Sequence, residues 1–138
     1  MYFFYSIITY LVVILSPLII LIRIISGKED PIRFKEKFCI YSKKNNLSTI
    51  WFHAVSVGEL MSIIPILKIL EKNIKIKQII VTSSTTSSAK IFEKQKFKKT
   101  IHKYFPIDIN YLNKKFIKNW KIKTAFFVDS EVWPNMIK

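Results

Sequence analysis

At 138 residues, half of them apolar, the chain has room for one ordinary domain at most, with enough apolar surface to build a core. Its 23 Lys and Arg residues outnumber nine acids, and the formal charge of +14 points to an anionic partner such as nucleic acid, anionic lipid or a phosphorylated substrate. The same charge also follows from a chain rich in Ile, Lys and Asn and poor in Gly and Ala, so composition alone leaves its meaning open. The single cysteine, Cys39, excludes an internal disulfide and a multi-cysteine metal site, and fits a reducing compartment.

The first segment, Tyr2 to Ile22, carries no charge, and about 20 apolar residues are what a helix needs to cross a bilayer core. Residues 1–26 are expected to form a membrane anchor helix. A cleavable signal peptide would show a basic start and a small-residue cleavage site, and neither is present. Arg23, Lys28, Arg33, Lys35 and Lys37 follow directly, and positive flanks of this kind stay on the cytoplasmic side. The rest of the chain is therefore expected on the cytoplasmic face of a membrane, with Arg23, Lys28, Arg33 and Lys35 turned toward anionic lipid. Pro17 and the aromatic start at Tyr2–Tyr5 leave open whether the helix spans or lies in one leaflet, and a buried core helix is the plain structural alternative.

Residues 27–47 form a basic connector, polar from Lys43 onward, and residues 48–138 change period. A short β-type run covers 48–55, a helical stretch runs from about Glu59 to Lys72, and a second strand covers 77–84. A Lys-rich helix is expected over Ser87–Lys99, a strand over 101–105, a helix over 108–120 and a fourth strand over 124–129. Strands alternating with helices predict an α/β fold: a Rossmann-like parallel sheet with helices on both faces. Sheets of this kind bind ligands at the carboxyl ends of their strands.

That rule draws attention to Ser56-Val57-Gly58-Glu59, the turn from the first strand into the first helix of the sheet. Gly58 would allow a tight turn or close approach to a ligand, and Glu59 lies where a helix dipole favours an anion. The structural alternative is a capping box, in which Ser56 caps the helix and Glu59, three residues on, answers it. "TSSTTSS" (82–88) lies between a strand and a helix, where hydroxyls and free N–H groups can hold a phosphate or simply cap the helix. His53 ends the first strand and reads best as a hydrogen-bonded structural histidine. No His/Cys/Asp cluster has metal-ligand spacing, and no G-x-G-x-x-G is present, so neither a metal nor another cofactor is expected.

"HAVSVGE", with Pro65 six residues beyond it, then "VTSSTTSS", "YFPID" and "DSEVWPN", resembles in order and spacing the N-terminal half of the 3-deoxy-D-manno-octulosonic acid (Kdo) transferases of lipopolysaccharide synthesis. The resemblance covers the whole chain. It implies the N-terminal, acceptor-binding domain of a two-domain GT-B glycosyltransferase that moves Kdo from CMP-Kdo to a lipid A precursor at the cytoplasmic face of the inner membrane. It also implies that Glu59 is the general base, that Ser56 and Gly58 line the site, and that Glu131 positions the acceptor or shapes the cleft. Asp129 stands where the family pattern has a longer glutamate, and Ser88 where related enzymes often have glycine. Trp133 and Pro134 are expected to serve packing.

The chain ends at Lys138, so the resemblance implies that the C-terminal domain holding CMP-Kdo is not part of it. Three readings follow: the N-terminal part of a Kdo transferase completed elsewhere, a non-catalytic membrane-anchored acceptor-binding remnant, or a membrane-tethered basic protein that binds nucleic acid. The lysines are scattered along predicted helix faces rather than clustered with exposed aromatics, so no nucleic-acid partner is expected.

Overall fold

The computed structural model describes the backbone of residues 2–41 and 46–128, with the side chains of 2–6, 9, 10, 12 and 13 left aside. Asp129, Glu131, Trp133 and Pro134 therefore lie outside the described residues.

Helix α1 covers Tyr2–Ile25 and is followed by a 3-10 helix at Arg33–Phe38. The remainder alternates as expected: β1 (Thr49–His53), α2 (Val57–Lys72), β2 (Gln78–Ser83), α3 (Thr86–Glu93), β3 (Thr100–Tyr104), α4 (Asn110–Trp120) and β4 (Ile122–Phe127). The four strands form one sheet in the order β3-β2-β1-β4, with every neighbouring pair parallel.

Alternation along the strands divides the core between the two faces of the sheet. Trp51 and Ile80 pack with Phe105, Ile109, Leu112, Phe116 and Trp120 on the α4 side. Phe52, Ile79 and Val81 pack with Leu60, Ile63, Leu67 and Phe92 on the side of α2 and α3. Helices thus cover both faces, and β1 and β2 are near-continuously apolar because both of their sides are buried.

The chain adds β2 and then β3 on one side of β1 and crosses to place β4 on the other. Strand order therefore reverses at β1, and the crevice above the carboxyl ends of β1 and β4 is the topological switch point of the sheet. The backbone N–H of Val128 donates to the His53 carbonyl at 2.9 Å and closes that end.

Two expectations change. The Lys-rich helix stops at Glu93, not Lys99: the N–H groups of Gln95 and Lys96 bond the Phe92 and Glu93 carbonyls three residues back, and those from Lys98 onward find an acceptor on another helix. The Glu71 carboxylate on α2 accepts from the backbone of Lys98, Lys99 and Thr100 at 2.6 to 3.1 Å, and Lys96 turns the chain with φ 52°. Burial acts to raise the Glu71 carboxyl pKa, but these three backbone bonds outweigh it and hold the group below its ordinary range.

The second change concerns the N-terminus. The predicted helix forms, but among the described residues no helix is long and apolar enough to cross a membrane, so a spanning anchor over 1–26 is not supported. What is present is a helix with Ser16 and Ile20 buried, while Ile14, Leu18, Leu21 and Ile25 remain exposed.

Candidate active site at the strand-to-helix turn

Helix α2 begins at the switch point because Ser56 supplies its cap. The Ser56 hydroxyl accepts from the Glu59 N–H at 3.2 Å and donates to Glu59 Oε1 at 2.8 Å, while Glu59 Oε2 accepts from the Val55 N–H at 2.8 Å. This is a capping box with the glutamate reaching back across the turn. Both carboxylate oxygens are engaged, yet a carboxylate has about four lone-pair positions and two bonds leave room for another donor. The carboxylate is half-buried and held in a defined orientation.

Gly58 is the second helical residue, and its φ lies outside the left-handed region. A Cβ built there would meet only Ser56 Oγ, at an ordinary 3.9 Å. Neither the turn nor internal packing requires glycine at this position. Of the two reasons offered by the sequence, close approach from outside the chain is the one left standing.

Beneath the turn, His53 is buried on the α4 face of β1, stacked on Phe105 with ring centroids 3.9 Å apart. Trp51 Nε1–H can only donate, and does so to Thr82 Oγ1 at 2.8 Å; the Thr82 hydroxyl proton is then free for His53 Nδ1, 2.9 Å away. The other ring nitrogen, Nε2, is buried with no hydrogen-bond partner among the described residues. Burial holds the His53 pKa down at about 4, against the upward effects of the Thr82 backbone carbonyl and the charge of Glu59. The structural role expected of His53 is met on one nitrogen only.

The hydroxyl-rich stretch 82–88 is largely used within the fold. Thr82 serves Trp51 and His53, Ser83 bonds His102 Nε2 at 2.8 Å, and Thr85 caps α3 by accepting from the Ser88 N–H at 3.2 Å. Ser88 is fully buried, with its hydroxyl 2.8 Å from Thr85 Oγ1, so a side chain rather than a glycine suits that place.

The basic connector divides into committed and free cations. Arg33 donates to Glu36 through Nε and Nη2 at 3.2 Å each, to Glu93 at 3.1 Å and to His102 Nδ1 at 2.9 Å. Arginine has no acceptor, so His102 must present a lone pair at Nδ1 and carry its proton at Nε2, facing Ser83. Burial, and then the Arg33 charge, hold the His102 pKa down at about 3. Glu36 also accepts from Lys103 at 2.8 Å and from the Tyr104 N–H at 3.0 Å. Burial acts to raise its pKa, but the bonds from Arg33, Lys103 and Tyr104 hold it below the ordinary range. Arg23 pairs with Glu29, which Lys37 also contacts at 2.6 Å. Arg33 and Arg23 thus work inside the chain, whereas Lys28 and Lys35 are exposed.

Ser56, Gly58 and Glu59 come together at the switch point as the sequence suggested, while Arg33 belongs to a separate cluster at the β3 edge. Sequence reasoning missed Thr82 as the hub between Trp51 and His53, and missed Glu36 altogether. Period-2 counting puts Trp51 and His53 on one face of β1, but only the pairing of β1 with β2 sets Thr82 beside them. Among the described residues, no group of three or more His, Cys, Asp or Glu side chains could hold a metal ion.

A parallel four-stranded sheet with helices on both faces is an α/β domain of Rossmann-like type. The chain belongs to the family described as 3-deoxy-D-manno-octulosonic-acid transferase (kdotransferase), which its residues 32–138 match. It is 38% identical over 134 residues to the 3-deoxy-D-manno-octulosonic acid transferase of Rickettsia bellii, covering 96% of this chain and 32% of that protein. The Haemophilus influenzae protein of the same name is 28% identical over 140 residues, covering 98% of this chain and 32% of its own length. A probable mitochondrial 3-deoxy-D-manno-octulosonic acid transferase of Arabidopsis thaliana is 32% identical over 90 residues, 65% of this chain and 20% of that protein. The chain spans well under half the length of the curated relatives it matches.

Proposed function

We propose that the chain provides the acceptor-binding part of an enzyme that transfers Kdo from CMP-Kdo to a lipid A precursor in lipopolysaccharide synthesis, with Glu59 as general base. The observation that carries this reading is the placement of an oriented, half-buried carboxylate at the switch point of a parallel sheet, beside a glycine that the fold itself does not require.

The chemistry follows from that placement. As the acceptor sugar hydroxyl attacks the anomeric carbon of Kdo, Glu59 takes its proton, and CMP departs with the electron pair of the broken bond. Ser56 and the Val55 N–H keep the carboxylate aimed, so less ordering is needed at the moment of reaction. Glu131 and Asp129 follow β4 in the sequence, and acceptor positioning or cleft shaping is assigned to them. The donor is taken by a second domain, in the GT-B manner, supplied in the same chain or by another.

Membrane attachment belongs to the same reading. The exposed apolar side chains of α1 enter the cytoplasmic leaflet of the inner membrane, and Lys28 and Lys35 face phospholipid or acceptor phosphate. Each such cation contributes about 1 kcal/mol near an anionic surface. A second reading, a non-catalytic acceptor-binding remnant, is favoured by the use of both Glu59 oxygens in the cap.

The test is transfer of Kdo from CMP-Kdo to a lipid A precursor by protein extracted from its own membranes, together with whatever co-purifies. Product formation depending on this chain is expected. An extract that binds the acceptor but forms no product supports the remnant, and one that does neither removes the proposal.

A further inference from the structure

The two edges of the sheet end differently. Along an edge strand, residues alternate between those whose N–H and C=O meet the neighbouring strand and those whose groups point away from it. On β3, the Lys99 carbonyl and the Phe105 N–H bond β2, so Thr100, His102 and Tyr104 are the outward residues. A side chain meets each of them. The Thr100 N–H donates to Glu71 at 2.7 Å, the His102 carbonyl accepts from Arg33 at 3.0 Å, and the Tyr104 N–H donates to Glu36 at 3.0 Å. The chain closes this edge itself.

Strand β4 is the opposite case. The Val128 N–H bonds the His53 carbonyl, so Phe126 also faces β1, while Ala125 and Phe127 turn their N–H and C=O groups outward. Among the described residues, no strand and no side chain bonds these outward groups. The helical layers stop short as well: residues 123–126 are exposed, although β1 beside them is largely buried. The Phe126 ring stacks on Phe52 with centroids 4.9 Å apart and still stays 48% exposed. Edges that are meant to face water carry charge, proline or a strong bulge. Here the only charge is Lys123, the residue skipped where the register shifts at the start of the strand, and Thr124 to Phe127 run on regularly without one.

Topology indicates the occupant. The order β3-β2-β1-β4 is the first part of the doubly wound order 3-2-1-4-5-6, in which a fifth strand pairs in parallel with the fourth. The curated relatives are also much longer than this chain, which spans 32% of the Rickettsia bellii protein. We infer that β4 is a docking edge for a parallel strand of the polypeptide that carries the rest of the transferase. That strand bonds Ala125 and Phe127, and its side chains cover Phe126 on one face and extend the Trp51 and Phe127 cluster on the other. The partner then completes the sheet of this domain as well as supplying the donor domain, and main-chain pairing holds the two parts together whether or not they share one chain. The identity of the partner rests on the transferase reading, but the role given to Glu59 does not enter.

The experiment is amide hydrogen exchange on the folded full chain, alone and in complex with a folded probe, the part of the Rickettsia bellii relative that follows its matched segment. In the chain alone, fast exchange is expected at Ala125 and Phe127 beside slow exchange at Phe126 and Val128. In the complex, exchange at Ala125 and Phe127 should slow by about a hundredfold or more. Ala125→Pro removes an outward N–H without touching the bonds to β1, and proline is tolerated on edge strands, so the urea midpoint should hold while capture of the probe weakens by about tenfold or more. Phe126→Lys, at a side chain already half in water, should weaken capture independently of any proline effect. Slow exchange at Ala125 and Phe127 in a monomeric chain would show that the chain covers its own edge, and the same in a dimer would make a second copy the occupant. Either result overturns the inference, as does no capture of the probe, or equal capture by wild type and both variants. Kdo transfer by the complex reports separately on Glu59: capture through β4 without transfer leaves this edge assignment standing and counts against the general base.

Discussion

Gly58 and Glu59 sit in a turn that serves the fold and, in the proposed reading, a ligand as well. A glycine in a helix costs about 0.5–1 kcal/mol relative to alanine, and nothing around Gly58 repays that cost internally. Gly58→Ala is therefore expected to leave the protein equally or more stable by urea denaturation, and to raise the acceptor KM several-fold where the added methyl meets the ligand. Unchanged KM with raised stability would make Gly58 incidental. The buried histidines make a separate prediction about pH. Both have folded pKa values below the ordinary 6.5, about 4 for His53 and about 3 for His102, so the unfolded chain binds more protons between those values. Stability is then complete above pH 6.5 and declines as pH falls through that window, by at most about 3 kcal/mol for His53 and about 5 kcal/mol for His102. Urea midpoints measured from pH 7.5 to 4 should fall accordingly, and His53→Gln should flatten part of the slope; a flat profile in the parent protein would contradict the burial described.

At the scale of elements, the connector is held to the sheet by charge as well as by the apolar packing of Cys39 and Tyr41. Glu36 is 7% exposed and gathers Arg33, Lys103 and the Tyr104 N–H around one carboxylate. Removing one partner from such a cluster leaves buried charge uncompensated, at a cost of about 3–5 kcal/mol. Glu36→Ala should lower stability by that order in equilibrium unfolding and expose the 27–41 connector to protease before the sheet is cut. A loss below about 1 kcal/mol would mean that the cluster is solvated in solution. The sequence showed these residues as a basic run because Glu36 is one acid among many cations there, while Glu93, which also pairs with Arg33, lies on α3. Charge counting along a chain does not see partners that folding supplies.

For the whole molecule, the alternation of strand and helix was legible because apolar period changes sharply at residue 48, and all four strands stand within a few residues of expectation. The early end of α3 was not, since the Glu71 carboxylate that takes the N–H groups of Lys98 to Thr100 comes from α2, some 27 residues away. The site divides in the same way. Ser56 and Glu59 could be paired from spacing alone, because a capping box is local. Thr82 could not be joined to Trp51 and His53 until β1 and β2 were known to be neighbours in register, with His53 opposite Thr82. The switch point itself became visible only when β4 was seen to cross to the far side of β1.

The measurement that bears most directly on the central claim compares wild type with Glu59→Gln in Kdo transfer from CMP-Kdo, using protein extracted from its own membranes. Glutamine keeps the volume and one capping acceptor but cannot take a proton, so it separates the cap from the base. Transfer should fall by about 10²–10⁴-fold, with acceptor binding retained and the urea midpoint within about 1 kcal/mol of wild type. Wild-type turnover in Glu59→Gln, or a loss of activity matched by a loss of folding, would show Glu59 to be a helix cap and not the base.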